Sequence, residues 1–293
     1  MSMLTYGMVG MGTATLATGL VLVRPRVAAA SGAGKVLVFG PVLEATALSM
    51  FAAEHFLAAS TLAPIVPDWL PAPLFWTYLV GAALLATAIS FVSWRSLRWS
   101  ASLLALLFLI IVATVDLPNL GGHYHQRLFW TLTLRETCFA AGAMVLAGSQ
   151  WPRGWARTTL LLLGRLAVAC VFFLYAAEHF HYPLFVPGVP LSKLTPDWVP
   201  APEMLTYFVG ATLLIAGIGL LIPRTRRIAA AAEGIVLLLL TVCLYVPMLI
   251  TELHTPNTLE NLNYVGDTLL FASTTLLAGF GASQPKPAEP AAS

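Results

Sequence analysis

The chain has 293 residues, of which 58% are apolar and only 10% are charged. A soluble domain normally carries about a quarter charged residues, so this composition excludes an ordinary soluble protein and indicates a polytopic membrane protein. The net charge of +2 is too small and too scattered to predict a nucleic-acid partner. The three cysteines lie inside apolar runs, which excludes a disulfide framework.

Nine apolar segments are long enough to cross a lipid bilayer as helices. They are Met3–Val23, Val36–Phe56, Leu74–Val92, Ser102–Val115 extended to about Leu117, Phe129–Gly148, Thr158–Phe180, Met204–Ile222, Ile228–Ile250 and Tyr264–Phe280. The first is not a secretory signal peptide, because Arg24 and Arg26 follow its apolar run instead of preceding it. The sequence therefore predicts an all-α integral membrane protein with nine transmembrane helices.

The basic residues predict the orientation of these helices. Alternate connections hold 11 of the 15 Lys and Arg residues. The opposite connections hold only Arg127 and Lys193, while Arg135 and Arg165 lie within predicted spans. By the positive-inside rule, the chain is expected in the bacterial cytoplasmic membrane, with its N-terminus outside and its C-terminus cytoplasmic.

One helix–loop–helix stretch occurs twice, first from Met50 and again from Phe172. The spacing between the copies is 124 residues at their Glu-His pairs and 129 at their Asp-Trp pairs, so the second loop is five residues longer. Because each copy extends to four predicted spans, the two units should be parallel. The predicted domains are an N-terminal helix and linker (1–33), a first repeat (34–150), a second repeat (151–282) and a disordered tail (283–293).

All six histidines fall at the predicted outer face, together with most carboxylates. Interfacial anchoring explains the aromatic residues there, but it explains less well why a Glu-His pair ends an apolar helix in both copies. Such groups line a pocket or hold the following loop in place. The ligand-binding candidates are Glu54, His55, Glu178, His179, Trp69, Trp198, Tyr78 and Tyr207.

Two further polar features admit more than one interpretation. His123, His125 and His254 either hold zinc or copper or are exposed loop histidines. Arg135 could pair with a carboxylate from another helix, but not with its neighbour Glu136, which points elsewhere around the helix. A haem held axially by His55 and His179 is a further alternative.

The second half resembles the DoxX family of four-helix bacterial membrane proteins over Gly164 to about Pro247. The shared features are Arg165, a small-residue run ending in His179-Phe180, a Pro-rich loop, Tyr207 with Gly210, and the exit Pro223 to Arg227. The likeness is fainter over Met50–Phe91, where Trp94 and Arg95 follow in place of the exit arginine pair. Family members also often carry a carboxylate where Ala211 and Thr212 stand here.

This resemblance implies a doubled DoxX-type bundle serving a quinone-linked or redox complex in the membrane. The Glu-His pairs would then line a periplasm-facing pocket for a quinone. The alternatives are a non-catalytic membrane subunit that docks a partner complex and a His-based metal-handling protein. Whether the chain is an enzyme stays open at this point.

Overall fold

The computed structural model describes residues 2–281 and is helical over this range, with no β-strand in it. The predicted tail 283–293 lies outside the described residues. Nine long helices occur in the described range, one in each predicted segment. They are α1 Met3–Leu22, α2 Gly34–Leu57, α3 Pro73–Ser93, α4 Leu97–Gly122, α5 Arg127–Gln150, α6 Trp155–His181, α7 Pro202–Leu221, α8 Arg226–Thr251 and α9 Thr258–Ala278.

Six of these helices, α2, α3, α4, α6, α7 and α8, are long and apolar enough to cross a membrane. They support the prediction of a helical, membrane-spanning chain. Helices α5 and α9 are more polar, and α5 carries Arg135 and Glu136. Both helices are largely buried by their neighbours, and a helix shielded from lipid tolerates charges that a lipid-facing helix does not. The crossing of α1, α5 and α9 stays a prediction.

The bundle has a central group of four helices, α2, α5, α6 and α9, in which α5 packs on α6 and α9 packs on α2. The remaining helices flank this group. Helix α3 packs on α2, α4 on α5, α7 on α6 and α8 on α9, while α1 covers α2 and α3. The last helix of each sequence repeat therefore packs on the first helix of the other repeat.

The two copies of the repeated sequence make the same local contacts. Gly81 on α3 and Gly210 on α7 each lie against the Cβ of a histidine, His55 and His179 respectively, where a larger residue would clash. Next to these contacts the Phe56 and Tyr78 rings stack with centroids 6.2 Å apart, and Phe180 and Tyr207 stack at the same separation. Small residues thus allow a close helix crossing in both halves.

Helices α4 and α8 each contain one π-helical turn, Val112–Asp116 and Thr241–Tyr245. A proline follows shortly after each turn, at Pro118 and Pro247. Such turns redirect side chains and are frequent at functional sites. They place Asp116 in the first half, and Tyr245 in the second, at corresponding positions near the same end of the bundle.

The two ends of the bundle differ in chemistry. At one end Arg26 stacks on Trp94, Arg98 stacks on Trp151, and Arg165 donates hydrogen bonds to carbonyl groups at the end of α9. The opposite end contains the histidines, Arg127 and the two loops that follow α2 and α6. We refer to these ends as the arginine face and the histidine face.

Candidate functional site

The loop after α6 folds back into the bundle as a hairpin. Its two arms meet at an antiparallel bridge between Phe185 and Leu194. The tip, residues 186–190, is fully buried. Irregular backbone at membrane depth is tolerated only where protein surrounds it, so the tip requires hydrogen-bond partners from the helices.

Side chains from four elements provide those partners. The Tyr245 hydroxyl donates to the Pro187 carbonyl at 2.6 Å, and the Gly188 N–H donates to Nε2 of His179 at 2.8 Å. Arg127 donates to the Pro190 carbonyl at 2.5 Å, and the Lys193 N–H donates to the Tyr264 hydroxyl at 3.2 Å. The hairpin backbone is therefore held by side chains from α5, α6, α8 and α9.

Ion pairs at the histidine face fix the base of the hairpin. Arg127 contacts the Glu178 carboxylate at 3.0 Å. The Lys193 ammonium contacts Glu252 at 3.2 Å and the side-chain oxygen of Asn261 at 2.9 Å. The pKa of Glu252 lies below its ordinary value, because hydrogen bonds from Asn257, Asn261 and Lys193 outweigh the opposing effect of desolvation. Glu178 thus holds a loop in place, which is the structural role weighed for it from the sequence.

His179 has no ring nitrogen left for a ligand. Its Nδ1 lies 2.6 Å from the Tyr175 carbonyl and therefore carries the hydrogen, since a carbonyl only accepts. Its Nε2 accepts from Gly188, and the side chain is 1% exposed. This histidine is a structural anchor, and it leaves no coordination position for a haem.

The matching region of the first half is a cavity of about 130 Å³. The loop after α2 runs along the surface through short helices at Ala59–Leu62 and Ala63–Ile65 and does not enter the bundle. The cavity lies among α2, α3, α4, α5 and α9. It is lined by His55, Glu136, Asp267, Leu48, Phe51, Val80, Leu84, Phe108, Ile111, Phe139 and Leu270.

His55 presents a free acceptor to this cavity. Its Nδ1 lies 2.8 Å from the Phe51 carbonyl and carries the hydrogen, as in its counterpart His179. Its Nε2 has no hydrogen-bond partner among residues 2–281 and, in the neutral ring, accepts a hydrogen bond. The cavity therefore suits a ligand that brings a hydroxyl or N–H group.

A buried charge cluster forms the polar wall of the cavity. Arg135 donates to Asp267 of α9 at 2.5 Å and to its own neighbour Glu136 at 2.9 Å. The pairing with another helix that the sequence allowed is present, whereas the prediction that Arg135 cannot pair with Glu136 is wrong. The two side chains start in different directions around α5, but the long arginine curls back far enough to bridge both acids.

Glu54 lies next to His55 in sequence but does not line the cavity. It is 4% exposed, and its Oε1 accepts a hydrogen bond from the Asn263 amide at 3.1 Å. Like Glu178, it contacts the partner repeat and not a ligand space. Of the two predicted Glu-His pairs, the structure brings only His55 to the cavity.

The four aromatic candidates lie on the outside of the bundle. Trp69 is 68% exposed and Tyr78 is 46% exposed. Tyr207 stacks on Phe180, and Trp198 borders an apolar groove between α7 and α8. These positions suit an interfacial belt and do not contribute to the His55 cavity.

Each of the three proposed metal ligands is accounted for by other contacts or lies at another surface. His123 bonds to the Asn119 carbonyl and stacks on Phe129, His125 packs on Tyr124, and His254 borders a surface cleft beside Ser2. Within residues 2–281 no group of three or more His, Cys, Asp or Glu side chains is arranged to hold a metal ion. The structure gives the predicted zinc or copper site no support.

Comparison with known proteins identifies a family but no activity. The family model described as a domain of unknown function (DUF8561) matches residues 43–118 and 166–265, more than half of the chain. The chain belongs to this family. No curated protein and no solved structure matches it. The DUF8561 match contains His55, His179, both π-helical turns and the hairpin, whereas Glu136, Phe139, Asp267 and Leu270 of the cavity wall lie outside the matched residues.

The sequence did not single out Asp116 and Tyr245, the residues that end the two π-helical turns. Asp116 has a buried Oδ2 without a hydrogen-bond partner in the described part of the chain. Tyr245, its counterpart in the repeat, anchors the hairpin. The proline that follows each π-helical turn was the available signal, because a proline within an apolar helix marks a local departure from α-helical geometry.

Proposed function

We propose that this chain is a multi-pass protein of the bacterial cytoplasmic membrane, built from two parallel four-helix units of DoxX-like architecture and one added N-terminal helix. The matched glycine–histidine contacts, the matched π-helical turns and the repeated sequence support this arrangement. The concentration of arginine at one end supports an orientation with the arginine face in the cytoplasm and the histidine face outside.

The function that fits the site best is binding the hydroxylated ring of a lipid-soluble quinol in the His55 cavity, as part of a quinone-linked redox process. The observation that carries this proposal is the unpartnered Nε2 of His55 in a largely apolar cavity, of which Glu136 and Asp267 form the polar wall. A neutral imidazole in this tautomer accepts a hydrogen bond from a hydroxyl group. The reduced, hydroxylated form of the carrier is therefore favoured over the quinone that the resemblance implied.

The dimensions of the cavity limit the ligand. Its volume of about 130 Å³ is comparable to that of cavities of about 150 Å³ that take up a single benzene ring. One ring fits, and an isoprenoid tail must remain outside between the lipid-facing helices. Ionisable groups at such a depth usually serve ligand or proton transfer, and the acids beside the ring are placed to accept a proton.

Binding of a short-chain hydroquinone to the purified protein in detergent, measured by calorimetry, tests the proposal. His55→Leu removes the acceptor and should weaken binding about tenfold or more. His181→Leu, at an exposed histidine of the same face, should bind like the wild type. Equal binding by both variants, or no binding by the wild type, would contradict the proposal. Native mass spectrometry that detects no bound quinol but a stably bound neighbouring subunit would instead support a non-catalytic docking subunit.

A further inference from the structure

A second polar space lies at the arginine face, far from the His55 cavity along the bundle. It is a cavity of about 530 Å³ between the start of α6, the end of α7 and the start of α8. Three arginines line it, namely Arg157, Arg165 and Arg226. The remaining walls are mostly leucine.

The three guanidinium groups have no carboxylate partner among residues 2–281. Arg157 donates to the Ser149 and Trp151 carbonyls, and Arg226 donates to the Leu220 and Leu221 carbonyls. Those contacts fix the side chains without neutralising them, and each guanidinium retains unused N–H donors.

The lack of a carboxylate partner is energetically unfavourable, because the three positive charges lie close together and one of them is buried. Arg165 is 6% exposed, and the positive charges of Arg157 and Arg226 both act on it. Elsewhere in the described chain the partly buried cations Arg127, Arg135 and Lys193 are each paired with an acid. Like charges gathered beside apolar walls favour an anion that residues 2–281 do not supply.

We infer that this cavity binds the phosphate group of an anionic phospholipid, with the acyl chains lying against the leucine wall. Arginine forks match phosphate oxygens bidentately. Basic pockets between transmembrane helices at the positively charged face are the usual sites of anionic lipid headgroups. The exposed Leu162 and Leu166 continue the apolar surface away from the arginines, which favours a lipid over a free phosphate ion.

Thermal unfolding of the full chain in detergent, followed as phosphatidylglycerol is added, tests this inference. We expect phosphatidylglycerol to raise the Tm of the wild type, and phosphatidylcholine or inorganic phosphate to raise it much less. The double variant Arg157→Gln/Arg226→Gln should lower the apparent affinity for phosphatidylglycerol about tenfold or more. The control Arg153→Gln/Arg224→Gln removes the same charge from exposed positions of the same face and should respond like the wild type.

A second pair of variants covers the case in which the double variant fails to fold. Leu162→Trp fills the cavity without changing a charge, and Leu163→Trp makes the same change at an exposed neighbour that does not line it. Only Leu162→Trp should lose the response to phosphatidylglycerol. An equal response of both variants, an equal effect of phosphatidylcholine, or a full effect of inorganic phosphate alone would overturn the assignment of a phospholipid.

Discussion

The two halves of this chain carry the same histidine in the same local setting and use it differently. His55 and His179 both pack against a helix glycine and both donate from Nδ1 to a carbonyl one turn earlier. In the second half a buried hairpin occupies the space beyond the His179 ring, and its Gly188 N–H donates to the remaining ring nitrogen. In the first half the same space is a cavity.

Loop length accounts for this difference. The five extra residues of the second loop allow its tip to reach the centre of the second half, where Gly188 lies close to Leu237, Leu240 and Thr268. The shorter first loop stays at the surface of the bundle. The two copies of the repeated sequence thus differ in the loop that follows the histidine, and only the first copy leaves a cavity beside it.

The charge cluster that joins the halves offers the largest expected effect. Arg135→Gln leaves Asp267 and Glu136 buried without a cation, and breaking such a pair costs about 3–5 kcal/mol of the free energy of unfolding. Denaturant unfolding monitored by tryptophan fluorescence measures this loss. Arg95→Gln, at an exposed arginine, should change stability by less than about 0.5 kcal/mol. Similar losses for the two variants would mean that the cluster does not stabilise the contact between α5 and α9.

The paired histidine variants test the comparison itself. His179→Ala removes the acceptor of a buried N–H group and leaves a void, so we expect a loss of about 3 kcal/mol. His55→Ala removes one hydrogen bond within its own helix beside an existing cavity, and we expect a loss of about 1 kcal/mol or less. Denaturant unfolding should show a larger loss of unfolding free energy for His179→Ala than for His55→Ala. If the two losses are equal, the second histidine is not the anchor described here.

Much of the fold could be predicted from the sequence, because a segment that crosses lipid must be apolar and must satisfy its own backbone hydrogen bonds as a helix. Every predicted apolar segment contains a long helix, and the repeat pointed to the matched contacts of His55 and His179. The candidate site was harder to predict from the sequence. The sequence indicated that the second loop was longer, but not that residues 186–190 enter the bundle, since burial of an irregular segment depends on distant donors such as Arg127 and Tyr245.

The polar cluster shows a similar limit. Residue spacing on a helix indicated that Arg135 and Glu136 diverge, yet the flexible arginine side chain reaches both acids. The sequence also treated both Glu-His pairs as equivalent. The two pairs differ because the hairpin packs against the His179 ring and a cavity adjoins the His55 ring. No local sequence pattern indicates this difference.

Cavity-filling variants distinguish an empty space from a filled one. Leu84 lines the first-half cavity, and Leu213 is its counterpart in the repeat and is fully buried. Leu213→Phe should overpack the second half and cost about 1–3 kcal/mol. Leu84→Phe should be accommodated, with a change in unfolding free energy below about 1 kcal/mol, and should abolish hydroquinone binding. An equal cost at both positions would indicate that the first-half cavity closes in solution.

The smallest effect concerns the residues that end the two π-helical turns. Tyr245→Phe deletes the hydrogen bond to the Pro187 carbonyl, and the loss should be about 1 kcal/mol. Faster hydrogen exchange confined to the hairpin would show that the loss is local, because the tip then opens more often than the bundle. Asp116→Ala, at the corresponding position, removes a carboxylate oxygen that has no partner in residues 2–281 and should leave stability unchanged or slightly higher. A larger loss for Asp116→Ala than for Tyr245→Phe would require Asp116 to support the first half through a contact of its own.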